Sequence, residues 1–155
     1  MNWRKIAVFR AFENITSFKN LYVSVMTPVC EKHGLTYMEL TVLMFLHNNP
    51  NHDTASEIVK LRRLTKSHVS ISVRSLIGKG LLTGDQNPKD RRTIHLHVTD
   101  RASAAIKDGT AAQRNFGQIM FAGFSQDDLD RMNDMISRIT NNVNSYESNG
   151  GNYAG

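Results

Sequence analysis

The run Thr65-Lys66-Ser67-His68-Val69-Ser70-Ile71-Ser72-Val73-Arg74-Ser75-Leu76-Ile77-Gly78-Lys79-Gly80 decides how this 155-residue chain is read. Thr65 suits a helix N-cap, and Gly80 suits the glycine that ends a helix. At helical spacing Val69, Val73, Leu76 and Ile77 fall on one side, where they would anchor the helix to its neighbours. Lys66, Ser67, Ser70, Ile71 and Arg74 fall on the other. That outer face carries small hydroxyls and cations and no carboxylate. Small side chains let a helix backbone sink into a major groove, while Ser, Lys and Arg supply donors for phosphates and base edges.

Upstream, Thr36-Tyr37-Met38-Glu39 and Thr54-Ala55-Ser56-Glu57 both read as capping boxes. The first opens an apolar helix with Leu40, Leu43, Phe45 and Leu46. The second opens a short one with Ala55, Ile58 and Val59, and Leu61 to Leu64 is expected to be a turn. Asn48-Asn49-Pro50-Asn51-His52 separates the two helices. Downstream, Leu81-Leu82-Thr83-Gly84 leads into Asp85-Gln86-Asn87-Pro88-Lys89-Asp90-Arg91, dense in turn formers. The chain leaves through Thr93-Ile94-His95-Leu96-His97-Val98, where Ile94, Leu96 and Val98 alternate as in a half-buried strand. Two short strands joined by a basic loop form a wing, so the expected centre is a winged helix-turn-helix.

The flanks are helical. From about residue 4 to the low thirties Val8, Phe12, Ile15, Tyr22, Met26 and Val29 keep helical spacing, with Pro28 expected to kink, break or restart the helix. Thr99 is expected to open a further helix bearing Ala102, Ala105, Gly109 and Ala112, a small-residue stripe that admits a close neighbour. Ser125-Gln126-Asp127-Asp128 starts the last helix, whose Leu129, Met132, Ile136, Ile139 and Val143 form a narrow apolar seam. A small central module cannot cover both arms. The arms of a second copy would do so, which favours a symmetric homodimer over a monomer folded back on itself.

Charge is uneven. Lys60 to Arg92 holds nine basic and two acidic residues, a net +7 against +5 for the whole chain, so the remainder sums to −2. A basic segment of this kind in an otherwise balanced protein suits a polyanion. No apolar run approaches the roughly 18 residues of a membrane span, and the short run Ile6 to Phe9 is too brief for a signal peptide. A single cysteine, Cys30, excludes an internal disulfide and a Cys-rich zinc module. A cytoplasmic protein without membrane partners is expected.

Gly34-Leu35-Thr36, Ala55-Ser56-Glu57-Ile58-Val59, Thr65 to Ser70, Leu76-Ile77-Gly78-Lys79-Gly80-Leu81-Leu82 and Asp90-Arg91-Arg92 before Val98-Thr99 together resemble the MarR family of bacterial transcriptional regulators. The resemblance implies a mainly α fold (α+β with a small β-hairpin wing), a winged helix-turn-helix with N- and C-terminal dimerisation helices. It implies that the Thr65–Lys79 helix enters the major groove and the wing reaches the minor groove. Arg92 matches the family's wing-tip arginine and Asp90 the acid that holds it, while Lys66, Ser67, His68, Ser70 and Arg74 match positions that commonly touch DNA. An arginine on a narrow loop also suits the negative potential of the minor groove. The chain departs from the family at Ala102, where a Gly often stands.

The expected organisation is a dimerisation helix over 1–35, the DNA-binding module over 36–98, dimerisation helices over 99–148 and a disordered tail over 149–155. The expected DNA-binding residues are Lys66, Ser67, His68, Ser70, Arg74, Lys89, Asp90, Arg91 and Arg92, and the partner is a palindromic double-stranded operator. No catalytic motif is present, so an enzyme is not expected. No cofactor or metal is expected either, since His95 and His97 share a strand face with no predictable carboxylate nearby. Cys30 reads as structural rather than redox-sensing, and the seven methionines leave open a plastic pocket for a small aromatic or phenolic effector. The function expected is that of a dimeric, sequence-specific regulator, a repressor released by such an effector. The alternatives are a winged-helix adaptor that binds protein and a non-specific nucleoid-type DNA binder.

Overall fold

The computed structural model describes residues 14–87 and 90–148, with the side chains of 86–92 left aside. In chain order the elements are α1 (Ile15–His33), α2 (Tyr37–Asn48), α3 (Ala55–Arg62), α4 (Lys66–Gly78), β1 (Leu82–Asn87), β2 (Asp90–Val98), a 3-10 turn (Asp100–Ala102), α5 (Ser103–Met120) and α6 (Gln126–Ser148). Residues up to 117 form one compact unit and those from 118 a second. The expected tail over 149–155 and the helix start before residue 14 lie outside the described residues.

The helix starts follow the sequence closely. Thr36 and Thr54 each accept from the backbone N–H of the Glu three residues on, and each Glu carboxylate accepts from the Thr N–H. Thr65 accepts from His68 N–H. Ser125 accepts from Asp128 N–H while Asp128 Oδ2 accepts from Ser125 N–H, the same reciprocal arrangement with a shorter acid. At the end of α4, Gly80 takes φ +70. Its N–H donates to Ile77 O and that of Leu81 to Leu76 O, which satisfies the last carbonyls of the helix and turns the chain into β1.

Five expectations give way to tertiary context. Helix α1 passes through Pro28 without a break. Met26, Val29 and Cys30 are buried on either side of the proline, and this packing holds the turn together despite the missing donor. Helix α3 takes in Leu61 and Arg62, so the turn before α4 is shorter than expected, with Arg63 in the left-handed region at φ 51. Thr99 stands at the N-cap of the 3-10 turn that leads into α5, but its hydroxyl makes no capping bond: it donates to Gly80 O, tying the end of β2 to the end of α4. Strands β1 and β2 absorb Asp85 to Asn87 and Asp90 to Arg92, which the turn-forming composition had placed in a loop. Cross-strand pairing outweighs local preference there. Ile77 and Ile94 stand exposed, whereas Ser72 is buried beside Val69, Val73 and Leu76.

In the first unit one core joins α1 through Met26 and Val29, α2 through Leu40, Val42, Leu43 and Leu46, α3 through Ile58, α4 through Val69 and Leu76, the wing through Leu82 and Leu96, and α5 through Ala105. The small-residue stripe finds its close neighbour here: a Cβ on Gly109 would lie 2.5 Å from Met44 Sδ. Tyr22 meets Phe116 edge to face at 5.1 Å and accepts a hydrogen bond from Gln113 Nε2. Cys30 is a buried core thiol whose pKa burial pushes up, against the thiolate form. Lys32 and His33, which might have favoured a thiolate, are instead turned to Asp108, each 2.7 Å from its carboxylate.

Gly109→Val should lower the unfolding free energy by about 1–3 kcal/mol, as over-packing does. Because the clash is with one side chain, Gly109→Val combined with Met44→Ala should cost less than the two single changes added together. Denaturant titration of the four proteins checks this, and strict additivity would place the strain elsewhere.

Candidate nucleic-acid interface

Lys66, Ser67, His68 and Arg74 are exposed on α4 and Ser70 is half-buried beside them. The opposite side of the helix is the core line Val69, Ser72, Val73 and Leu76. The structure therefore leaves four of the nine expected site residues exposed on α4, Ser67 and Arg74 on the side away from the core line and Lys66 and His68 on its two flanks. Among the described residues, no ion pair engages Lys66 or Arg74. Lys89 lies outside the described residues. Asp90, Arg91 and Arg92 begin β2 instead of filling a loop, and their side chains are not described.

Two devices hold this face in place, and sequence reasoning missed both. The first sits beneath α4. Glu39 of α2 is almost fully buried at 3% exposure. It accepts from Ser75 Oγ, from Lys79 Nζ at 2.9 and 3.0 Å, and from Thr36 N–H at 2.7 Å. Lys79 also donates to Gly34 O at 2.9 Å. One carboxylate thus fastens the end of α4 to the start of α2 and, through Lys79, to the end of α1. Burial alone would raise the Glu39 pKa, but the donors from Ser75, Lys79 and Thr36 outweigh it and hold the group at about 2. The capping box was visible in the sequence, but its Glu was already assigned a partner, which hid the second role.

The second device pins the wing. Leu96 N–H donates to Asp53 O at 2.7 Å, Thr54 and His95 form a bridge, and His95 Nδ1 lies 2.8 Å from Asp53 Oδ1. The wing is fastened to the residues that lead into α3. His97 Nε2 lies 3.3 Å from Asp85 Oδ2 across the hairpin. The expectation that no carboxylate lies near His95 and His97 is therefore wrong. Each histidine has its own aspartate, and among the described residues no group of three or more His, Cys, Asp or Glu is placed to hold a metal ion. Nothing in the sequence signals contacts 42 residues apart.

Residues 33–93 match the family model described as MarR family. The chain is similar to an uncharacterized HTH-type transcriptional regulator, YdgJ, of Bacillus subtilis (strain 168). The two are 22% identical over 129 residues, 83% of this chain and 77% of that protein. A solved structure of a putative MarR family transcriptional regulator from Listeria monocytogenes, complexed with 26mer DNA, superposes with TM-score 0.75. It is 14% identical and covers 93% of this chain and 97% of its own. Staphylococcus aureus MarR in complex with salicylate and kanamycin gives TM-score 0.71 at 19% identity, covering 91% and 95%. Among the described residues no helix is long and apolar enough to cross a membrane.

A pH titration tests the Glu39 junction. Its carboxyl sits at about 2 in the folded chain against an ordinary 4.5. The stability it contributes is therefore complete above about pH 4.5 and is lost as pH falls toward 2, on the order of 3 kcal/mol. Glu57 is held low as well, mainly by His52 and Thr54, and gives both proteins a shared acid slope. Glu39→Gln should thus be the less stable protein at neutral pH, with the gap to wild type closing between pH 4.5 and 2. A gap that stayed constant over that range would show that Glu39 is not held as described.

Proposed function

We propose that this chain, which belongs to the MarR family of transcription regulators through residues 33–93, works as a homodimer that binds a palindromic operator and represses until a small effector releases it. The chain is a transcription regulator and not an enzyme. The observation that carries the reading is the outer face of α4. Its exposed Ser67 and Arg74 stand opposite the core with Lys66 and His68 on the flanks, and Val69, Val73 and Leu76 anchor the helix on its inner side. A helix of this kind fits a major groove about 12 Å wide. Lys89, Asp90, Arg91 and Arg92 would serve the minor groove from the wing, with Asp90 orienting Arg92.

The dimer is supported by α6. Ile136, Ile139 and Val143 are 40–52% exposed along one stripe, and no residue of that helix is buried in the single chain. Wetting such a stripe costs what burial against a second copy would recover, about 1.5–3 kcal/mol for each side chain fully covered. An effector is supported by a groove of about 600 Å³ where Val98, Ile106 and Ala111 stand with Lys107 and Arg114, two cations against the one carboxylate of Asp100. An apolar wall with fixed positive charge suits an aromatic or phenolic anion. We place the regulator in the cytoplasm, where its DNA is.

Selection of bound duplexes from a random pool with the full chain should yield an inverted repeat whose half-sites lie one helical turn, about 34 Å, apart. An enriched site without symmetry would remove the dimeric reader, and no enrichment would remove sequence-specific binding. Affinity for the selected site should fall steeply with salt, with a log–log slope near −7 if about eight phosphates are neutralised. Arg92→Ala should weaken binding strongly while sedimentation still reports the dimer; loss of the dimer would show that the wing assignment is wrong.

A further inference from the structure

Ile71 is 62% exposed, more than any other large apolar side chain found exposed among the described residues. It stands in the middle of α4. At about 100° per residue it lies roughly 160° from both Val69 and Val73, the buried line of the same helix. The point of α4 that projects farthest from the core is therefore a branched hydrocarbon rather than a charge. One turn away on either side stand Ser67 and Arg74, and Gly78 follows two turns on; all three are exposed. Ser67 and Gly78 are small, and with Arg74 beside it Ile71 still keeps 62% of its surface open to whatever the helix approaches.

The fold asks nothing of Ile71. It has no place in the core, and a β-branched residue is not a favoured helix former. A single exposed Ile is ordinary on most surfaces. On this face its chemistry has a particular counterpart. The major groove presents mostly donors and acceptors, and the thymine C5-methyl is its apolar mark, met in complexes by apolar side chains.

We propose that Ile71 is a specificity-determining residue that packs against the C5-methyl of one thymine in each half-site of the operator. This rests on the DNA-reading function proposed above. Ser67 and Arg74 hold the helix in the groove from either side, and Ile71 gains free energy only where a methyl covers it. Cytosine, which lacks that methyl, leaves the side chain wet.

Deoxyuridine tests this directly, because it removes the methyl and keeps O4 and the pairing edge of thymine. In the duplex selected from the random pool, each thymine is replaced in turn, symmetrically in both half-sites. Binding is then measured for the wild-type chain and for Ile71→Ala. At one thymine per half-site the wild type should weaken roughly five- to fifteenfold when both methyls are lost. At that position Ile71→Ala should bind the thymine and deoxyuridine duplexes alike, with unchanged helical circular dichroism. The inference is overturned if no thymine responds, or if Ile71→Ala retains the same loss. Unchanged affinity of Ile71→Ala for the intact site would overturn it too and point to a protein contact on this face. Failure to select any duplex removes the DNA-reading function and this inference together, whereas a selected site blind to its methyls removes the inference alone.

Discussion

A buried carboxylate governs the geometry of this protein. Glu39 is surrounded by Ser75, Lys79 and the Thr36 N–H, and Lys79 reaches on to Gly34 O. An unpaired charge at that depth would be costly, so its three partners must stay where they are. The end of α4, the start of α2 and the end of α1 are thereby fixed to one another. Every feature on the outer side of α4 inherits its position from that junction and from the core line on its inner side. Asp53 does the same for the wing, through its carbonyl to Leu96 and its carboxylate to His95. The outer face of α4 and the wing thus rest on supports that are polar, directional and specific in register.

This division of labour explains the charge pattern. Acids in the central module are spent inward or sideways: Glu39 on Lys79, Glu57 on His52, Asp53 on His95, Asp85 on His97. The cations of α4, Lys66 and Arg74, are left facing out. Within the basic segment the described carboxylate, Asp85, faces His97 rather than a cation of α4.

Much of this was legible in the sequence. Capping boxes at Thr36 and Thr54, the Gly80 stop and the two-sided pattern of α4 act within a few residues, and the structure follows them except at Ile77, where Ser72 is buried instead. What escaped was long-range. Asp53 and His95 meet only because the wing folds back on the loop before α3, and no local pattern records that. Ile94 reads as a core position by alternation, but it pairs with Gln86 toward the tip of the hairpin, farther from the core than Leu82 and Leu96. The extension of β1 through Asp85 to Asn87 defied turn propensity because the partner strand supplies hydrogen bonds that local sequence cannot foretell. Of the candidate site, the exposure of Lys66, Ser67 and Arg74 on α4 was readable from helical spacing, while Ser70 is half-buried. The supports beneath α4 were not readable, because Glu39 already had a sufficient local explanation as a helix cap.

The central claim is that α4 and the wing are the parts of this chain that meet DNA, presented by a frame that does not change when they do. Amide hydrogen exchange, followed by mass spectrometry on the free chain and on the chain bound to its selected duplex, tests it most directly. The account predicts added protection confined to peptides covering 65–75 and 82–98, with α2 and α6 exchanging as before. Protection centred on other elements, or none at all in a saturated complex, would contradict it.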